Sequence, residues 1–312
     1  MADLTYAYQT STTHSGFLKA PNPALAQNTR FWVAGIAWDG STTHRPGARM
    51  GPAAIRQASH MLCDGIHPHF ECSPVAELAD IGDLTLPNTS LERMREALIP
   101  QARELIKQHH MVWLGGDHSI TLPLLRAYRE QLNEPLALVH FDAHCDTWST
   151  HFSEPSGHGT WVYEAVNEGL ISAAHTVQIG IRSAAEVATT RFIEDRGGLM
   201  YSARAMRGVD KQTQWQEMVK TMQAKIGQRP VYLTVDIDCL DPAFAPGTGT
   251  PEPGGLTSQQ LLGLLEELAV LPFVGMDLTE VAPAYDWAEL TSNVASHAVW
   301  TYLCGQIARA KR

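Results

Sequence analysis

Short apolar runs rich in β-branched and aromatic residues alternate with amphipathic stretches from Phe31 to the end of the chain, and that alternation leaves few folds open. Strand-like runs are read from Phe31 (F-W-V-A-G-I-A-W), at Val75 to Ile81, Met111 to Leu114, Leu136 to Val139, Thr176 to Ile181, Leu199 to Ser202, Pro230 to Val235 and Phe273 to Met276. Between them, helices are expected from Gly51, where Pro52 suits a first turn, and over Leu91 to Gln108, Thr121 to Gln131, Thr160 to Glu168, Thr213 to Ile226, Thr257 to Ala269 and Ser292 to Ala308. Loops fill Ser149 to Gly159 and Asp277 to Asp286. Eight strands alternating with helices predict an α/β fold with a mainly parallel sheet covered on both faces. No repeat, low-complexity tract or long linker marks a second domain, so residues 31–312 are read as one domain. Residues 1–30 are polar, carry Pro21 and Pro23 and show no period; they read as an N-terminal arm that lies against a neighbouring subunit.

The charge balance narrows the function classes. With 23 Lys and Arg against 33 Asp and Glu, the net charge is -10, which argues against nucleic acid or an anionic membrane as partner and suits a small cationic one. The five cysteines are dispersed, without a CxxC pair, as in a reduced, cytoplasmic chain. The first residues show no basic segment followed by an apolar one, so no secretory signal is read. A membrane span needs about 20 apolar residues. Val294 to Ile307 comes nearest, but Ser296, His297, Thr301 and Gln306 interrupt it, and it reads as a core helix.

Polar residues gather where the strands end. His118 follows one strand, Asp142, His144 and Asp146 extend another in V-H-F-D-A-H-C-D, Asp236 and Asp238 close a third, and Glu280 lies just past a fourth. Strand alternation would place Asp142, His144 and Asp146 on one face and turn Cys145 away as a core thiol, the role also read for Cys239. The carboxyl ends of parallel strands share one edge, where ligands bind. Four Asp and two His brought to that edge repel one another unless a cation sits between them. Such oxygen and imidazole donors suit Mn²⁺, with Fe²⁺, Co²⁺ and Zn²⁺ as chemical competitors. Six donors exceed the need of one ion, whereas two ions bridged by shared carboxylates use them all and hold a hydroxide between them.

The motifs G-G-D-H-S at 115–119, D-A-H-C-D at 142–146 and V-D-I-D-C-L-D-P at 235–242 resemble the three signatures of the ureohydrolase (arginase and agmatinase) family. The likeness extends from about Arg45 to the C-terminus, through R-P-G-A-R-M-G-P-A-A-I-R, H-G-T at 158–160, Q-I-G-I-R at 178–182, P-G-T-G-T-P at 246–251 and E-V-A-P-A-Y-D at 280–286, and is nearest to bacterial agmatinases. It implies a single-domain, three-layer arginase-like fold, trimers or hexamers, and two Mn²⁺ ions per subunit. By resemblance His118, Asp142, Asp146 and Asp236 hold one ion and Asp142, His144, Asp236 and Asp238 the other. Asp142 and Asp236 therefore bridge. The resemblance further implies that the bridging hydroxide attacks a guanidinium carbon, releasing urea and a primary amine. Asp146 takes its proton, Glu280 pairs with the guanidinium, and His158 shuttles a proton to the leaving amine. Thr250 is expected to hydrogen-bond near the guanidinium.

Arginases of the family place an Asn two residues after the counterpart of Asp146. Trp148 stands there in this chain, and an indole cannot anchor an α-carboxylate through the same contacts. The expected substrate is therefore agmatine, with 4-guanidinobutyrate as the rival: equally short, but with a tail of opposite sign. Trp148, Trp161, Glu154 and Glu186 are the expected wall for the ammonium end. The loop from Thr147 to Gly157 has no basic residue but His151, which favours agmatine. A non-catalytic relative would have lost ligands, and all six are present.

Overall fold

Eight parallel strands form one sheet in the order β2-β1-β3-β8-β7-β4-β5-β6. They are β1 (Phe31–Ile36), β2 (Leu78–Asp83), β3 (His110–Gly115), β4 (Leu136–Phe141), β5 (Ile171–Ile179), β6 (Leu199–Tyr201), β7 (Val231–Asp236) and β8 (Phe273–Thr279). The structure is a computed structural model that describes residues 16–25, 29–150 and 152–311. The expected α/β architecture holds. Every strand anticipated from the sequence is found, with ends displaced by a few residues.

Alternation along the strands builds two cores. Val112, Leu114, Val139 and Phe141 face one side, against α1 (Gly51–Ser59), α5 (Gln212–Ile226), α6 (Ser258–Leu268) and α7 (Leu290–Ala310). Met111, Trp113, Leu136 and Leu138 face the other, against α2 (Leu91–Ile106), α3 (Thr121–Leu132) and α4 (Trp161–Asn167). Capping fits the sequence: Ser90 Oγ accepts from Arg93 N before α2, and Thr257 with Gln260 makes a reciprocal capping box before α6. Helix α7 is buried along most of its length, as its apolar sequence leads one to expect, and no helix among the described residues is long and apolar enough to cross a membrane.

Much of the expected arm, residues 1–15 and 26–28, lies outside the described residues. Its described part packs on its own chain: Phe17, Leu18 and Ala20 are in the core, with Phe17 N donating to Asp80 Oδ2 and Leu18 N to Ser59 Oγ. A departure from the sequence reading concerns Asp277. It belongs to β8 and not to the following loop, buried among the hydroxyls of Thr121, Tyr232 and Thr234, which all donate to its carboxylate. A carboxylate so satisfied does not break a strand, although it interrupts the apolar run.

Candidate metal centre

Strands β3, β8, β7 and β4 are consecutive in the sheet, so the four polar strand ends lie side by side at its carboxyl edge. Beyond β3 the chain turns through Gly116, where a Cβ would come within 1.7 Å of Trp38 O, into the short 3₁₀ turn His118–Ile120. Asp117 holds that turn, accepting from Ser119 N at 3.0 Å and from Ser41 N at 2.8 Å. After β7, Asp236 Oδ1 accepts from Asp238 N at 2.8 Å.

The stretch after β4 corrects the expectation of an extended strand. Strand β4 stops at Phe141, and Asp142 Oδ1 accepts from His144 N at 2.6 Å, folding the chain into a tight turn that carries Asp146 at φ 54°. Asp142, His144 and Asp146 thus converge through a turn and not by strand alternation. Cys145 is buried there, as Cys239 is beyond β7, and burial pushes both thiols above their usual pKa, which keeps them protonated and poor ligands.

The donors form two groups that share Asp142. Around His118 Nδ1 stand Asp142 Oδ2 at 3.1 Å, Asp236 Oδ2 at 3.2 Å and Asp146 Oδ2 at 3.4 Å. Around His144 Nδ1 stand Asp142 Oδ1 at 3.2 Å and Asp238 Oδ2 at 3.1 Å. All six ligands expected from the sequence are therefore brought together. On the far side of the first ring, Thr234 Oγ1 donates to Asp277 and so accepts from His118 Nε2 at 2.7 Å. That bond leaves the lone pair of Nδ1 facing three carboxylates, and this buried nitrogen has no hydrogen-bond partner. Protons alone would have to offset the charge otherwise: burial and Asp142 drive Asp146 well above the usual carboxylate range. A divalent cation satisfies the nitrogen and the carboxylates together, so the residues present fit a metal.

One residue at this site escaped the sequence reading, and a second stands elsewhere than expected. His140 is fully buried and approaches Asp142 Oδ2 with Nε2 at 2.8 Å. Its signal was available, because His140 precedes Asp142 by one strand period. Trp161, expected at the substrate wall, is instead fully buried: its indole N–H donates to Asp146 Oδ2 at 2.6 Å and its ring lies 4.8 Å from that of His118.

Beside the cluster opens a cavity of about 410 Å³ lined in part by His118, His144, Asp146, Trp148, His158 and Thr250, with no Lys or Arg among its lining residues. Trp148 thus stands where it was expected, whereas Glu154 lines a separate cavity and Glu186 is exposed outside the first; His151 lies outside the described residues. Thr250 Oγ1 donates to Asp238 Oδ2 at 3.1 Å, which ties it to a residue of the donor cluster. Glu280 is fully buried at φ 64°, a strained backbone position of the kind found at functional sites. Its Oε1 accepts from His118 N and meets His158 Nδ1, both at 2.9 Å, while Oε2 is buried without a hydrogen-bond partner among the described residues. Burial works against a charge on His158, but the hydrogen bond and charge of Glu280, with the charges of Asp117 and Asp146, together outweigh it and raise the pKa to about 9. Thr43 Oγ1 meets the other ring nitrogen of His158 at 3.0 Å.

Residues 29–305 match the Arginase family. The chain belongs to that family. An agmatinase from Chromobacterium violaceum is 43% identical to this arginase-family chain over 279 residues, covering 87% of it and 82% of the relative. Among solved structures, a hypothetical agmatinase from Burkholderia thailandensis superposes with TM-score 0.87 at 36% identity, covering 96% of this chain and 92% of that one. A proclavaminate amidino hydrolase from Streptomyces clavuligerus superposes equally well, with TM-score 0.87 at 35% identity and coverage of 95% and 98%. The fold shared with these two solved structures is the single parallel sheet described above.

Proposed function

We propose that the chain is an agmatinase, a hydrolase with two Mn²⁺ ions per subunit that converts agmatine to urea and putrescine. The observation that carries this reading is the pairing of a carboxylate-rich donor cluster with Glu280, whose buried Oε2 lacks a partner among the described residues and whose Oε1 meets His118 and His158, two residues of a cavity that has no Lys or Arg in its lining. A guanidinium offers the planar array of donors that such an oxygen accepts. Agmatinases among the relatives support the same substrate.

In this reading His118, Asp142, Asp146 and Asp236 hold one ion and Asp142, His144, Asp236 and Asp238 the other; imidazole and carboxylate donors favour Mn²⁺. Bound there, the metals supply Lewis acidity and a hydroxide nucleophile near neutral pH. The chain's own groups do the rest. Glu280, held at Oε1 by His118 N–H and His158, presents Oε2 to the guanidinium and orients its carbon toward the cluster. Asp146, a carboxylate beside the place where the hydroxide would be held, suits a proton acceptor. His158 keeps a proton up to about pH 9 and delivers it to the leaving amine. Trp148 forms an apolar wall along the alkyl chain, and Thr250 steadies Asp238. The five free thiols suit a reducing cytoplasm. Assembly into trimers or hexamers belongs to the same reading and would cover apolar surface such as Trp287, which is 77% exposed.

Urea release by the Mn²⁺-loaded protein tests the proposal, with agmatine, 4-guanidinobutyrate and arginine compared by kcat/KM. Agmatine is expected to lead. A lead for 4-guanidinobutyrate would retain the metal chemistry and overturn the reading of the pocket; no urea from any of the three would overturn the proposed activity.

A further inference from the structure

His140 has no role in the chemistry above, yet it stands at the centre of the cluster. Its ring is 5.2 Å from that of His118, and by distance alone it qualifies as a ligand beside His118, Asp142 and Asp146. Hydrogen bonding decides against that. The parallel register sets His140 of β4 opposite Gln178 of β5. The Gln178 side-chain nitrogen lies 2.8 Å from the carbonyl oxygen of Cys145, and because a carbonyl only accepts, the group facing it is the amide NH₂. The same nitrogen is 3.1 Å from His140 Nδ1, which therefore accepts. With the Nδ1 lone pair engaged, the ring proton sits on Nε2 and donates to Asp142 Oδ2 at 2.8 Å. A protonated Nε2 has no electron pair for a metal.

We infer that Gln178 and His140 are a positioning pair for the metal centre: Gln178, locked by the Cys145 carbonyl, fixes the His140 tautomer, and His140 aims the carboxylate of Asp142 while staying out of the ligand set. Asp142 is the residue for which aim matters most. Its Oδ1 takes the His144 N–H at 2.6 Å and its Oδ2 the His140 Nε2–H, so a donor at each oxygen clamps the carboxylate that the two donor groups share. Hydrogen-bonded partners behind ligands orient them in this way.

This inference rests on the proposed metal centre, and Mn²⁺ binding to the metal-stripped full-length protein, measured by titration calorimetry, tests both separably. Wild type, His140→Phe, His140→Gln and Gln178→Leu are compared, with circular dichroism as the check on folding. All four are expected to bind the same number of ions; His140→Phe and Gln178→Leu should lose roughly 10- to 100-fold in affinity, while His140→Gln, which restores an N–H toward Asp142, stays within about threefold of wild type. If His140→Phe does not fold, Gln178→Leu set against His140→Gln still decides the matter. Loss of one ion per subunit in the folded His140 variants would make His140 a ligand and overturn the inference. Wild-type affinity in both His140→Phe and Gln178→Leu would overturn it as well. A wild-type protein that binds no Mn²⁺ would bring down the metal reading itself, and this inference with it.

Discussion

The two imidazoles of the cluster occupy unlike surroundings. The side chain of His118 is 1% exposed and backed by the Thr234 and Asp277 hydrogen bonds, with the Trp161 ring alongside. That of His144 is 16% exposed, with Glu252, itself 37% exposed, 3.9 Å from its Nε2. One half of the centre is therefore built on the sheet, where strand pairing fixes donor directions as the chain folds. The other half is built from loops, which Arg182 ties together by donating to the carbonyls of Asp238, Cys239, Leu240 and Glu252. The sheet-backed half is expected to hold its ion more tightly, and the loop-built half to exchange with solvent and receive substrate.

Erasing the distinction should have the largest effect. Asp142 serves both halves, so Asp142→Ala is expected to reduce urea release to background and weaken both Mn²⁺ sites, read by metal analysis after gel filtration; full activity with two ions bound would sink the assignment. Glu280→Gln leaves both halves intact but removes the charge opposite the guanidinium. A loss of about 2–5 kcal/mol in kcat/KM with unchanged metal content is expected, the range for breaking one member of a buried charged pair. His158 comes next. Because its folded pKa is raised to about 9, the protonated form persists below that pH and is lost above it. Wild-type kcat should fall as pH rises through about 9, and His158→Asn should remove that limb while lowering kcat by roughly 10²- to 10⁴-fold. The same pair adds stability that is fully present below the unfolded histidine value of about 6.5 and fades as pH rises through the folded value.

Legibility in the sequence does not divide along the two halves. The periodic signals of strands and helices predicted the sheet, and the strand-end positions of His118, Asp142, Asp236 and Asp238 predicted where donors meet, because a parallel sheet sends its carboxyl ends to one edge. The turn at Asp142 to Asp146 was not legible. Alternation continues on paper past Phe141, whereas the Asp142 carboxylate captures His144 N–H and ends the strand. Trp161 read as part of the wall for the substrate's ammonium end because it follows a polar loop; its burial depends on packing against the rings of His118 and His140, which no local pattern encodes. Asp277 broke an apolar run and so read as a loop, although three hydroxyls from separate segments satisfy it within β8. For Trp161 and Asp277 the missing information is a contact between residues distant in sequence, whereas for the turn it is a side-chain to backbone bond that competes locally with the strand.

The smallest effects bear most directly on the unlike halves. Thr234→Val removes the acceptor for His118 Nε2–H and one donor to Asp277 while keeping the side-chain volume. Orienting partners of this kind are worth about 10- to 100-fold in metal affinity, and the loss should fall on the sheet-backed ion. Thr250→Val removes a single hydrogen bond to Asp238 at the cavity edge. Its loss should fall on the loop-built ion, and it should be near the typical net value of about 1 kcal/mol, roughly fivefold. Chelator titration followed by Mn²⁺ electron paramagnetic resonance separates the two. Wild type should release one ion before the other, Thr250→Val should widen that interval, and Thr234→Val should narrow it. The same shift in both variants would mean that the halves are energetically one site, joined through Asp142 strongly enough to override their different backing.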